Sequence, residues 1–194
     1  INFSTPDREL VLIDNASLYG SPFSRSEADI YIRNKVNVGY PGAVNQGMAL
    51  SHGELVVISN NDIKVSPNWW IVAQEIMKDP KVGSVHFRMV GYDEETVLGN
   101  ETWIGDKEKW CSSSFFVIRK EAFNSVGGYD ESYKEGGYDD WDFWHRIRSK
   151  GWIQAYTNKA AYFHKHSSTY LAMDDGKNRA ERDQRNREHF NSKF

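Results

Sequence analysis

The chain has 194 residues and a net charge of −3, from 24 Lys and Arg against 27 Asp and Glu. That length fits one domain with a sizeable core, and the acidic balance argues against the basic surface that nucleic-acid binding needs. The single Cys111 excludes an internal disulfide and a cysteine-based zinc cluster, which fits a reducing, cytoplasmic setting, and no apolar run approaches the ~20 residues of a membrane span. No signal-peptide pattern precedes the first strand. Aromatic residues make up 14% of the chain. Their flat faces suit sugars, but core packing accounts for such a content more often.

In chain order, Glu9–Ile13 is an apolar run that ends in Asp14-Asn15-Ala16-Ser17. It reads as a buried strand whose polar end lies at the carboxyl edge of a sheet, where open α/β folds bind ligands. Ala28–Arg33 is a second short strand. Gly39–Gly42 reads as a turn, and Ala43–Ser51 as a helix that stops near His52-Gly53. Glu54–Ser59 is the strongest strand and runs straight into Asn60-Asn61-Asp62. Pro67 suits the start of a helix reaching about Lys78, and Val82–Val90 is another strand. Residues 91–109 read as a long polar loop. Ser113–Ile118 is a strand, Lys120–Val126 a short helix ended by Gly127-Gly128, and Asp140–Lys150 a helix closed by Gly151. Ile153–Tyr156 and Ala160–His164 read as two separate short strands. From Asp174 onward the chain is charged with both signs interleaved, as in a solvated helix or tail. Strands alternating with helices predict an α/β fold with a mixed sheet, as one domain over 1–173 followed by a charged helix or tail over 174–194.

Four constellations carry chemistry. Asn60-Asn61-Asp62, at a strand end, offers a hard oxygen ligand for Mn2+ or Mg2+; a local Asx-turn explains the same tripeptide. Asn37 to Gly47 joins a glycine-punctuated loop to a helix start, where backbone can approach an anionic ligand, but an ordinary loop fits as well. The third is Gly136-Gly137-Tyr138-Asp139-Asp140-Trp141-Asp142, in which three carboxylates fall within four residues and repel unless used or neutralised. Capping explains one of them, and an i,i+4 salt bridge to Arg146 accounts for Asp142. A carboxylate at such a site suits a general base towards a hydroxyl, where its geometry and pKa allow. In His164-Lys165-His166 the two imidazoles point to opposite faces if the strand continues, so only one faces a given site.

The order of these motifs resembles that of the family 2 glycosyltransferases. Asp14-Asn15-Ala16-Ser17 is similar to the family's V-D-N-x-S element, and Asn37–Gly47 to its N-x-G-x-x-x-A-x-N-x-G segment, with the alanine displaced. SNNDIKVSPNWW resembles a D-x-D-like turn with its following Pro and Trp. Arg119–Glu131 resembles "R-x-a-f-x-x-v-G-G-f-D-E", and GYDDWDFWHRI resembles "G-y-E-D-W-D-f-w-x-R-l". Asn60 stands where many relatives carry Asp, Asp139 replaces the usual Glu, and about eight residues precede the Asp14 strand where the family has a further strand and loop. The resemblance therefore implies either a chain trimmed at its start or a short, minimal member that binds its base thinly.

It implies a GT-A fold (nucleotide-diphospho-sugar transferase-like, Rossmann-like) with a mixed central sheet flanked by helices. It also implies an inverting, metal-dependent hexosyltransferase. Asp62 and His164 hold the divalent metal, Mn2+ or Mg2+, with His166 the second choice. Asp140, with Asp139, serves as base. Asp14, Asn15, Asn37, Gly39, Asn45, Asn60 and Asn61 hold the nucleotide sugar, and Trp103, Trp110 and Trp141 are candidates for stacking on sugar. UDP-glucose or UDP-galactose is the favoured donor, with a dTDP-sugar the alternative; the acceptor, whether carbohydrate, lipid-linked or protein, stays open, as does attachment to a membrane periphery. The rival readings are a nucleotide-sugar hydrolase and a non-catalytic sugar-binding module on the same fold.

Overall fold

The computed structural model describes residues 8–17, 27–91, 98–105, 111–133, 136–164 and 177–194. Two sheets are present among them. β1 (Val11–Asp14) and β2 (Ile30–Arg33) pair in parallel, Val11 opposite Ile30 and Asp14 opposite Arg33. The larger sheet has six strands in the order β3-β7-β5-β8-β4, with β6 also on β8. Its members are β3 (Leu55–Ser59), β4 (Ile63–Val65), β5 (Val82–Val90), β6 (Thr102–Ile104), β7 (Phe115–Arg119) and β8 (Ile153–His164). β7 runs antiparallel to both β3 and β5, and β5 runs parallel to β8. Hence β3, β5 and β8 all point the same way, and their carboxyl ends share one edge.

Helices cover both faces of this sheet, and β7 shows why. Its run Phe-Phe-Val-Ile is apolar at every position because both sides are buried. Phe115 and Val117 join Trp69, Ala73 and Met77 beneath α2 (Trp69–Ile76). Phe116 and Ile118 face the other way, against Met48 of α1 (Gly39–Leu50), Phe123 of α3 (Lys120–Ser125) and Phe143, Trp144 and Ile147 of α4 (Asp139–Ser149). His86 on β5 lies in this second core, stacked on Phe116 and edge-on to Trp144, with a bond to Ser84. Burial lowers its pKa to about 3, so it is neutral packing.

Several elements differ from the sequence reading. α1 begins at Gly39, so the expected turn at 39–42 is its first turn. Pro41 fits there because a first-turn N–H has no helical partner, and Gly39 takes a φ of +81° that favours glycine. α2 starts at Trp69, two residues after Pro67, behind Asn68 at a φ of +63°. Within the expected 91–109 loop, Thr102–Ile104 is a strand, while 92–97 and 106–110 lie outside the described residues. β4 is a further strand that three residues signalled too weakly. The two strands expected after Gly151 are one. The polar Thr157-Asn158-Lys159 between them is a bulge, across which the partner register jumps from Phe87–Thr157 to Arg88–Ala161. Asn158 holds β6 in place by accepting from the Gly99 and Glu101 N–H groups, at 3.0 and 2.9 Å. Finally, α5 (Lys177–Lys193) is a 17-residue helix.

Candidate active site

Asp62 and His164 are 102 residues apart in sequence, and β4 brings them together. It pairs antiparallel with the end of β8, Ile63 opposite His164, so the preceding Asp62 reaches the imidazole. Asp62 Oδ1 lies 3.1 Å from His164 Nε2, with side-chain exposures of 23% and 11%. An oxygen and a nitrogen donor thus converge at the carboxyl edge and remain open to a ligand. Among the described residues no third His, Cys, Asp or Glu joins them as a ligand group. Asn60 is anchored by its N–H to the Ser114 carbonyl at 2.9 Å, and Asn61 is exposed.

Asp14 ends β1 and is almost fully buried. Its carboxylate accepts from the Ser17 N–H at 2.9 Å and the Tyr31 hydroxyl at 3.2 Å, and Arg33 lies 3.2 Å away. The Ser17 bond leads in holding its pKa below the ordinary carboxylate value, against burial. Next to it, Asn15 donates to Asn37 Oδ1 at 2.8 Å and to the Gly39 carbonyl, and accepts from the Val38 N–H at 2.9 Å. Asn37 in turn accepts from the Gly39 N–H. These amides bond one another and fasten the end of β1 to the start of α1. Asn45 acts further back, bonding the Tyr129 carbonyl and N–H and the Glu131 carboxylate.

The three acids of α4 have separated roles. Asp142 is fully buried and takes Arg146 Nε at 2.7 Å, as the i,i+4 spacing predicts; Lys193 of α5 bonds its other oxygen. Arg146 also reaches the Val126 and Gly128 carbonyls, both at 2.8 Å. Asp139 is buried, and desolvation raises its pKa. Asp140 is half-buried and accepts from the Trp141 N–H at 2.9 Å. Burial first, then the Asp139 charge, pushes it up to about 7, the range of a working general base at neutral pH. Trp141 beside it is 51% exposed.

A hydroxyl-rich floor joins the two ends. Tyr40 bonds the Ser113 carbonyl and Tyr129 bonds Ser113 Oγ at 3.0 Å. Burial raises both phenols, with the Asp139 and Asp140 charges adding to it. Ser114 next in line bonds Tyr162 and, through its carbonyl, Asn60. In sequence, only the run Ser112-Ser113-Ser114 marks this network. Trp103 sits elsewhere: it pairs with Tyr156 on β8, on the order of 20 Å along the strand from His164. Its ring packs on that tyrosine at 5.5 Å. Trp110 and His166 lie outside the described residues.

The sequence model of glycosyl transferase family 2 matches residues 1–134 of the 194. The chain belongs to this family. A second model, the N-terminal domain of galactosyltransferase, matches residues 106–167. An uncharacterised protein of Sinorhizobium fredii, y4gI, is 22% identical over 89% of this chain and 23% of its own length. The N-acetylglucosaminyl-diphospho-decaprenol L-rhamnosyltransferase of Mycobacterium tuberculosis is 29% identical over 43% of this chain and 31% of its own. The chain thus spans less than a third of these relatives. Among solved structures, S. aureus TarS with UDP-GlcNAc matches at a TM-score of 0.63 and 14% identity, over 86% of this chain and 52% of its own. The mannosyltransferase PcManGT of Pyrobaculum calidifontis, with GDP-Man and Mn2+, matches at 0.62 and 17%, over 82% and 48%. The fold of this family 2 glycosyltransferase is accordingly the GT-A fold. No helix among its described residues is long and apolar enough to cross a membrane.

Proposed function

We propose that this chain moves a hexose from a nucleoside diphosphate to an acceptor hydroxyl, with a divalent metal and with inversion at the anomeric carbon. The observation that carries the reading is the Asp62–His164 pair, 3.1 Å apart at the carboxyl edge of the six-stranded sheet. The Asp62 carboxylate and the His164 imidazole would hold Mn2+ or Mg2+, ions that take few protein ligands beside substrate phosphates. When bound, such an ion supplies Lewis-acid stabilisation for charge growing on the departing diphosphate.

The protein's own groups do the rest. Asp14 stays anionic on the nucleoside side, and the Asn15–Asn37–Gly39 network fixes the wall beside it. Asn60 and Asn61 flank Asp62. Asp140, poised near neutral pH, takes the proton of the attacking acceptor hydroxyl, and Asp139 raises its affinity for that proton. The exposed Trp141 face is the platform for the acceptor sugar.

UDP-glucose and UDP-galactose are the first donors to try. TarS with UDP-GlcNAc supports a UDP base, and PcManGT with GDP-Man makes GDP an alternative beside dTDP. A decaprenol diphosphate in the name of the mycobacterial relative supports a lipid-linked acceptor.

The test is a thermal-shift series of UDP-glucose, UDP-galactose, dTDP-glucose and GDP-mannose, with and without Mn2+. A donor at a hundred times its Kd stabilises by about 2.7 kcal/mol, and the reading expects this only with metal. No stabilisation by any donor would sink it. Product analysis with and without acceptor then separates transfer from hydrolysis.

A further inference from the structure

We propose that α5 is a clasp on the base-bearing end of α4, and that its Asn186 is a positioning residue for Asp139 and Asp140.

The segment it grips is unusual. Gly136, Gly137 and Tyr138 have φ values of +78°, +86° and +67°, three left-handed residues in succession directly before Asp139. Glycine takes that conformation readily and tyrosine does not, so the turn needs outside support. Asn186 supplies it. It is 4% exposed, and its side-chain amide donates to the Gly136 and Gly137 carbonyls, both at 2.9 Å. One NH2 group holding two successive carbonyls fixes the plane of the peptide that joins them. That plane sets the direction in which the chain enters α4, and so where the carboxylates of its first two residues point.

The rest of the helix is built to keep Asn186 there. Asn186, His189, Phe190 and Lys193 recur at the i, i+3, i+4, i+7 spacing of one helical face. His189 lies 3.1 Å from Asp130 and packs edge-on to Tyr133. Phe190 packs on Tyr138 at 5.9 Å between ring centres. Lys193 bonds Asp130 at 2.8 Å and also the buried Asp142. An interleaved-charge helix that looks solvated in sequence therefore has an inward polar stripe, and that stripe is directed at the α4 entrance. What is positioned rests on Asp140 as base; whether it is positioned does not.

Amide hydrogen exchange tests the clasp without any sugar. Asn186→Ala and the shape-preserving Asn186→Asp, which lacks the two donors, should each speed exchange of the Tyr138–Trp141 amides. Losing two hydrogen bonds predicts an acceleration of about tenfold to a hundredfold, with β5 and β7 amides unchanged. Gln184→Ala serves as the control, because Gln184 is exposed and its side-chain amide donates to Glu188 on the same helix; it should change nothing at 138–141. Unchanged exchange there in a folded Asn186 variant would overturn the proposal. So would equal acceleration by Gln184→Ala, or global unfolding by both Asn186 substitutions, since a clasp acts locally. With UDP-glucose and Mn2+, the same variants should lower kcat at least tenfold while KM for the donor holds. A wild type inert towards every donor would remove the role of base, yet leave the exchange result standing.

Discussion

Asp14 closes β1 and Asp140 lies in the first turn of α4, and their surroundings drive these two aspartates in opposite directions. Asp14 is the more buried, yet a backbone N–H, a phenol and a guanidinium keep it ionised. Asp140 is less exposed to donors: it faces Asp139 and accepts from the Trp141 N–H and from its own. The charge state is set by the balance of burial and donors: at Asp140 desolvation prevails, and at Asp14 the Ser17 N–H outweighs it. The first site holds a permanent negative charge, and the second holds one that comes and goes near pH 7. A group that must bind and a group that must accept a proton need that difference.

The sharpest way to break the comparison is Asp140→Asn. Transfer should fall about a thousandfold, within the ~10²–10⁴ span of general-base catalysis, while donor binding stays within twofold by calorimetry. Near-normal turnover would remove Asp140 from the role. The same variant should also be the more stable protein at pH 8. A carboxyl whose folded pKa is raised contributes stability in full below its unfolded value near 4, and loses it as pH rises through about 7. Melting curves at pH 5 and pH 8 check the sign.

Asp142, two residues along the same helix, should behave unlike Asp140. Asp142→Ala strands Arg146 in the core and should cost about 3–5 kcal/mol in urea unfolding. A smaller loss would mean that water reaches the pair. Asp14→Asn should cost less, about 1–3 kcal/mol near neutral pH. Its native pKa is lowered, so that stability is present above the ordinary carboxylate value and vanishes as pH falls; the variant and wild type should converge in acid. The subtlest effect is that of Asp139→Asn. It removes the neighbouring charge, so the acidic limb of the kcat/KM profile should move below its expected position near 7 by up to about one unit. An unmoved limb would assign the shift of Asp140 to burial alone.

Much of the scaffold was legible because local pattern and burial agree there. Leu55–Ser59, Val82–Val90 and Phe115–Arg119 are each a strand where the pattern puts it, and the apolar run Phe115–Ile118 is buried on both faces. Asp142 and Arg146 pair because four residues bring them onto one helix face. The reading failed where a local signal was outvoted. Gly39-Tyr-Pro-Gly42 has the composition of a turn, but a first helical turn tolerates Pro as well. Thr157-Asn158-Lys159 looks like a strand break, yet Asn158 satisfies a neighbouring segment from inside a continuous strand.

The sequence by itself determined the α/β class, most of the order of elements and the family-like succession of Asp14, Asp62, Asp139-Asp140 and His164. Helical and strand periodicities are local, and so are the motifs. Only the tertiary structure decided which of these residues act together. The three-residue β4 joins Asp62 to His164, the Ser112–Ser114 floor links that end to Tyr40 and Tyr129, and a charged C-terminal helix turns one polar stripe onto Gly136 and Gly137. Those pairings depend on strand register and on which helix face turns inward. No window of neighbouring residues contains that information.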